Sequence, residues 1–322
     1  VSDRSASPPG ATLTKADRED LDRAFALARV DLRHHNAETR PPTLDQVVSQ
    51  VVSADQCMHP DYEAWSDLIG IPKPVRRFNR KVWEWVYILQ AARQHEMLQK
   101  GRRAVGFGVG NEPLPAVFAR YDVEVVATDQ SASDDERVKS GGWAETGQLL
   151  VGVEGLLRPE IVDDDRAREL IKTRRVDMND VPDDLAPCDL AWSACALEHL
   201  GSPQQGMRFV QRTAELLAPG GIAVHTTELE LTDRARTVDH GHLACYRPAD
   251  LRSLADELTA SGFEIDLNLH VSMETAEDRW VSVVLLHGPD LEAGERAHLK
   301  LALNDSVLTS VGIIVRRPPA SR

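Results

Sequence analysis

From residue 103 onward, short apolar runs alternate with stretches of helical period, and this alternation narrows the possible architectures more than any other feature. Runs that read as strands fall at 103–107 (RAVGF), 123–129 (VEVVATD), 174–178 (RRVDM) and 189–194 (DLAWSA). Three more follow at 222–228 (IAVHTTE), 263–269 (FEIDLNL) and 307–317 (VLTSVGIIVRR). Helical patterns lie between them at 113–120, 162–172, 203–217 and 248–261. Strand and helix in strict turn predict an α/β fold, a doubly wound and mostly parallel sheet of seven strands with helices on both faces. Pro219, Gly220 and Gly221 read as a helix stop that turns the chain into the next strand. Residues 130–160 carry turn signals without a period and read as an insertion over the carboxyl edge of the sheet. RWVSVVLL at 279–286 has strand character but no evident place in that order.

Ahead of this region the pattern is helical. Residues 1–15 are rich in Ser, Pro and Gly and predict a disordered lead-in. Leu21, Phe25, Ala28 and Leu32 recur at helical steps over 17–33, and a second helical pattern lies near 44–56. A Pro-punctuated connector, IPKPVRR at 71–77, precedes a helix at about 79–98 that carries Val82, Trp85, Val86, Leu89 and Ala92 on one face. The chain thus divides into a helical extension or cap at 1–78 and a main domain at 79–322. Trp83 and Trp85 point to opposite sides of that helix. Trp143 and Trp192 fall nearer the expected cleft, with core packing the favoured role for both.

Composition closes off several classes. Against 37 Lys and Arg stand 51 Asp and Glu, a formal charge of −14 that repels polyphosphate and disfavours nucleic acid as a partner. The longest apolar runs, such as 281–286, fall far short of the roughly 18 residues that a membrane span needs. The first twenty residues lack the apolar segment of a secretory leader. Cysteines at 57, 188, 195 and 245 form no CxxC pair, which argues against a disulfide framework and fits a reducing cytoplasm. Nothing in the sequence specifies an oligomeric state.

The loop GFGVGNEP at 106–113 follows a strand and opens a helix, with Gly106, Gly108 and Gly110 at alternate positions. Residues without a Cβ let a backbone turn tightly and approach a ligand. Asp129 ends the next strand, 19 residues beyond Gly110, where a carboxylate can accept both hydroxyl protons of a ribose. The third glycine comes one residue too early for a dinucleotide fingerprint, and Glu112 repels a pyrophosphate while tolerating a neutral or cationic ligand. A nucleoside cofactor without that pyrophosphate is the reading that remains.

Together with Asp177–Met178, CDLAWSACALEHL (188–200) and LLAPGGIAVHTTE (216–228), the series resembles a class I S-adenosylmethionine-dependent methyltransferase over about residues 79–317. The resemblance implies that the loop from Gly106 through Phe107 and Gly108 to Gly110 lies under the methionine moiety of S-adenosylmethionine. It also implies that Asp129 binds the ribose, that Asp177 and Met178 bracket the adenine, and that Ser193 and Ala194 end a strand beside the methyl donor. It further implies that the last strand runs antiparallel beside the fifth. The family's acidic residue two places before the first glycine is here Ala104, and Glu112 can partly substitute for it. GFGVGNEPLPAVFA, WSACALEHLGS and HLKLALNDSVLTSVGIIVRR also resemble methyltransferases associated with glycan gene clusters, which suggests a saccharide acceptor.

Methyl transfer to an alcohol needs the oxygen close to the donor and deprotonated on attack. Glu198 and His199 follow the fourth strand, and they match the end of an ExxEH element that resembles the metal site of certain O-methyltransferases, with Cys195 in the first acidic place. His240 or His242, in DHGHLACYRP, can supply a later ligand. The candidate catalytic residues are therefore His199 and Glu198, and the candidate metal set is Glu198, His199, His240 and His242. His225 and Glu228 are candidates for a supporting or substrate-facing role. The carboxylate runs at 134–137 and 162–169 read as solvated faces. The alternatives are O-methylation of a small aromatic or polyketide-type natural product and a catalytically silent binding subunit with this fold.

Overall fold

Among the described residues, eight strands build the central sheet, in an order that runs outward in both directions from the strand bearing the glycine loop. The computed structural model describes residues 39–130, 150, 152–232, 239–240, 243–284, 298–303 and 306–320, with a few isolated positions before them. In chain order the strands are β1 (Ser49–Gln50), β2 (Arg103–Phe107), β3 (Glu124–Asp129), β4 (Ile171–Arg175), β5 (Cys188–Ala194) and β6 (Leu217–Glu230). They continue with β7 (Asp239–His240), β8 (Leu243–Ala244), β9 (Leu267–Asn268), β10 (Val281–Val284), β11 (Lys300–Leu303) and β12 (Ser306–Arg316). The helices are α1 (Ala54–Cys57), α2 (Pro60–Leu68), α3 (Lys73–Arg76), α4 (Arg80–Gln94) and α5 (Leu114–Arg120). After them come α6 (Asp164–Leu170), α7 (Pro203–Glu215), α8 (Pro248–Ala260) and α9 (Ala276–Arg279).

The sheet order is β10-β11-β12-β6-β5-β2-β3-β4. All neighbours from β4 to β6 are parallel, and β12 runs antiparallel to both β6 and β11. The expected closing strand is thus present beside the fifth strand of the series, with the expected direction. Parallel strands covered on both faces need apolar side chains on both, and Ala104, Val105 and Phe107 of β2 are fully buried. The outer strand β4 is different: after Ile171 its residues are exposed and basic or polar, which suits an edge.

The expected seven strands are corrected to eight among the described residues. Of the expected strand at 263–269, Leu267–Asn268 pairs with β1 outside the main sheet. The reason lies in the free edge of β12, which is eleven residues long and is covered in sections. Glu264 bridges Arg316, Val51 bridges Val311, and β11 pairs with the stretch 306–309. The strand-like run at 279–286 finds its place as β10, on the far side of β11. Two boundaries also move. The strand expected at 174–178 starts at Ile171, so Asp177 and Met178 lie in the loop beyond it. Pro219–Gly220–Gly221 lies within β6, where the register shifts and Gly220 takes φ of +85°.

The helical pattern near 44–56 resolves into bends, β1 and α1, the last closed by a capping box between Ser53 and Gln56. Leu44, Tyr62 and Trp65 share one apolar cluster with Trp83, Tyr87, Phe118 and Trp192, so this segment packs on α4 and the sheet face beneath it. A Cβ on Gly312 would come within 2.1 Å of the Tyr87 ring, so this glycine in β12 lets α4 lie close. The helix read at 17–33, apart from single positions, lies outside the described residues. No described helix is long and apolar enough to cross a membrane.

Candidate active site

The carboxyl ends of β2 and β5 mark the switch point of the sheet, where connections leave in opposite directions and open α/β sheets bind their ligands. At the end of β2, Gly108 and Gly110 adopt φ of +61° and +53°, a region that side-chain-bearing residues disfavour. The turn is tied to β3 by the Gly110 N–H, which donates to Asp129 Oδ2 at 3.1 Å. The N–H groups of Gln130 and Leu150 also donate to the same carboxylate, at 2.8 and 3.0 Å. Burial raises the Asp129 pKa against the pull of these three bonds. Met178 is buried with its sulfur 3.5 Å from the Cβ position of Gly108, and Asp177 accepts the Asn179 N–H at 2.8 Å. The structure therefore groups Gly108, Gly110, Asp129 and Met178 at one edge.

Other expected residues have different surroundings. A Cβ on Gly106 would meet the Trp192 ring at 2.2 Å, so the close approach it permits is to that indole. Phe107 is buried edge-on against Phe209, ring centroids 5.2 Å apart. Trp192 packs in the core as expected and donates its indole N–H to Glu112 Oε1 at 2.6 Å. Burial pushes the Glu112 carboxyl up to about 8, with the Trp192 bond opposing and the Asp129 charge adding to the rise. Ser193 is fully buried and bonds His225 Nδ1 at 2.8 Å, while His225 Nε2 lies 2.9 Å from Thr213 Oγ1. Thr213 spends its proton on the Val210 carbonyl, so His225 carries its hydrogen on Nε2 and accepts from Ser193. Burial lowers the His225 pKa to about 3, and the ring is neutral. The Ser193 side chain is thus engaged with His225 of the neighbouring strand, which in turn bonds Thr213 of α7.

A cluster of charged side chains gathers where α4 meets the ends of β5 and β6. Arg80 donates to Glu228 Oε1 at 2.8 Å and to Ser310 Oγ at 3.1 Å. Lys81 contacts the sulfur of Cys195 and stands 3.6 Å from Glu84 and 3.8 Å from Glu228. The Cys195 thiol reaches Glu198 Oε1 at 2.5 Å, and Thr227 donates to Glu198 Oε2 at 3.0 Å. Cys195 itself turns at φ of +52°, with its N–H bonded to Thr226. Burial holds this thiol well above its usual range, and the Glu198, Glu84 and Glu228 carboxylates add to the rise while Lys81 opposes it. Burial likewise raises Glu84. For Glu228 burial acts in the same direction, but Arg80 and Lys81 outweigh it and hold the carboxyl below its ordinary value.

Among the described residues, one group has the size of a metal site: Cys195, Glu198 and Glu228, with donor atoms within 4.8 Å of one another. It shares Glu198 alone with the expected set. His199 is half-buried on the turn Leu197–His199, the His240 side chain and His242 lie outside the described residues, and Trp143 does also. The group fits a metal ion poorly, because the Arg80 guanidinium and the Lys81 ammonium already face its donors. Of this group the sequence pattern marked Glu198 as a ligand and Glu228 as a supporting residue, showed Cys195 only as a departure from ExxEH, and left Arg80, Lys81 and Glu84 unmarked. Their signal is a charged patch at one- to four-residue spacing at the start of an otherwise apolar helix.

No protein-family model matches the sequence, and no curated protein does. Solved structures give loose matches. The methyltransferase CcbJ of Streptomyces caelestis is 15% identical, with 76% of this chain and 96% of that one covered at a TM-score of 0.38. A methyltransferase of Mesorhizobium loti gives 18%, 70%, 96% and 0.38 in the same order. Magnesium protoporphyrin IX methyltransferase of Synechocystis, with bound S-adenosylhomocysteine, gives 12%, 80%, 94% and 0.41. The fold assignment rests on the strand order and not on these scores.

Proposed function

We propose that the chain is an S-adenosylmethionine-dependent methyltransferase that methylates a hydroxyl of a small, saccharide-type acceptor. The observation that carries the reading is the pairing of the Gly108–Gly110 turn with the Asp129 carboxylate at the sheet's switch point. S-adenosylmethionine supplies an electrophilic methyl group on a sulfonium. Of this chain's residues, Gly108 and Gly110 keep the turn free of side chains, and Asp129 accepts the ribose hydroxyls. Met178 and Asp177 border the base, and the Glu112 carboxyl receives the methionine ammonium in place of the acid missing at Ala104. Glu198 and His199, on the turn after β5, hold the acceptor and take its proton. Residues 1–78 act as a cap beside this side of the 79–322 unit.

Calorimetry tests the core of the proposal. S-adenosylmethionine binds the wild type, and Asp129→Ala weakens binding by about 1.5–3 kcal/mol, the range for hydrogen bonds to a charged group. Equal affinity in the two proteins removes the cofactor assignment. Transfer of labelled methyl to a panel of sugars, with loss in His199→Ala but retained cofactor binding, tests the acceptor side.

A further inference from the structure

We propose that the Lys81 ammonium is the resident cation of the Cys195–Glu198–Glu228 seat, excluding a divalent metal, so that an acceptor hydroxyl meets an ammonium there. This rests on the methyltransferase reading for its chemical meaning and on the geometry below for its substance.

Three observations converge. The donors of Cys195, Glu198 and Glu228 lie close enough to share one cation. They already face two: Arg80 is 2.8 Å from Glu228, and Lys81 touches Cys195 with Glu84 and Glu228 just beyond hydrogen-bond distance. With two basic and three acidic side chains the cluster is close to balanced, and a divalent ion would be set directly against two fixed positive charges. Exposure then separates the two bases. Arg80, Glu84 and Glu228 have side chains 7%, 2% and 6% exposed, whereas Lys81 is 44% exposed. Lys81 is the cation that an incoming molecule meets. An ammonium has three N–H donors, and neither carboxylate stands within hydrogen-bond distance of Lys81, so it has donors to offer an oxygen. Glu228 itself is buried, with its Oε2 without a hydrogen-bond partner among the described residues, so the negative charge behind Lys81 is held inside the protein.

Cobalt(II) alone is the probe, titrated into the purified full chain and followed by the thiolate–cobalt absorption band and by calorimetry. S-adenosylmethionine binding is measured on the same samples. Wild type and Lys81→Arg are expected to give no thiolate–cobalt band, and Lys81→Met to bind cobalt at least tenfold more tightly than wild type. Cofactor affinity should stay within twofold in all three, which shows that the variants fold. A stoichiometric cobalt band in the wild type overturns the proposal, and so does the absence of any gain in Lys81→Met that still binds cofactor. Failure of the wild type to bind S-adenosylmethionine defeats the methyltransferase reading instead, and the cobalt titration still decides which cation the seat holds.

Discussion

Glu112 is the residue at which burial, charge and ligand chemistry meet most directly. Its carboxyl is buried under the Trp192 indole and titrates at about 8, against an ordinary value of 4.5. The folded protein therefore holds this proton more tightly than the unfolded chain. The stability it contributes is complete below about pH 4.5 and is lost as pH rises through about 8, by roughly 1.4 kcal/mol per unit of separation. Glu112→Gln keeps an acceptor for the indole N–H and removes the titration. The melting temperature of the wild type should consequently fall more steeply than that of the variant between pH 5 and 9. An ammonium arriving beside the carboxyl favours its charged form, so cofactor binding near pH 7 should release a proton from the wild type but not from Glu112→Gln. The heat of binding in buffers of different ionisation enthalpy reads this directly, and equal dependence in both proteins would count against Glu112 as the ammonium's partner. A tolerance for cations at Glu112 was legible from its place after the glycines. Its raised pKa was not, because the indole that buries it lies 80 positions away.

Elements were legible where local period and burial agree. The strands at Arg103–Phe107 and Glu124–Asp129, and the helices Pro203–Glu215 and Pro248–Ala260, lie within two residues of their expected limits. The run at 263–269 fails for a non-local reason, since the edge it was expected to fill is divided among segments from both ends of the chain. Asp278 shows how those segments are joined. Fully buried, it accepts the Ala54 N–H at 2.8 Å, the Ser272 hydroxyl at 2.7 Å and the Thr275 hydroxyl at 3.0 Å. One carboxylate thus serves the start of α1 and the cap of α9. Asp278→Ala leaves these donors without their acceptor and should cost about 2–4 kcal/mol in urea unfolding. Amide exchange at Ala54–Cys57 should accelerate more than exchange in β2. A loss below about 0.5 kcal/mol, the lower end for a single hydrogen bond, would mean that the junction is held by apolar contacts alone.

At the scale of the whole molecule, the proposed cofactor site lies at one edge of the sheet, and binding there should stabilise the entire fold. A ligand at one hundred times its dissociation constant adds about 2.7 kcal/mol to the folded state. Unfolding entropy of about 2.1 cal/mol/K per residue gives a chain of 322 residues about 0.7 kcal/mol per kelvin at its midpoint. Saturating S-adenosylmethionine should then raise the melting temperature by about 4 °C. In Asp129→Ala, affinity falls about ten- to a hundredfold, and at the same concentration the rise should shrink to roughly 0.5–2 °C. Adenosine, which keeps the ribose and base but lacks the methionine, separates the two halves of the site. It should shift the wild type less than S-adenosylmethionine does, and Glu112→Gln should narrow that difference because it alters the methionine end alone. A wild type whose melting temperature does not move with millimolar S-adenosylmethionine has no such site at its switch point, whatever its strand order.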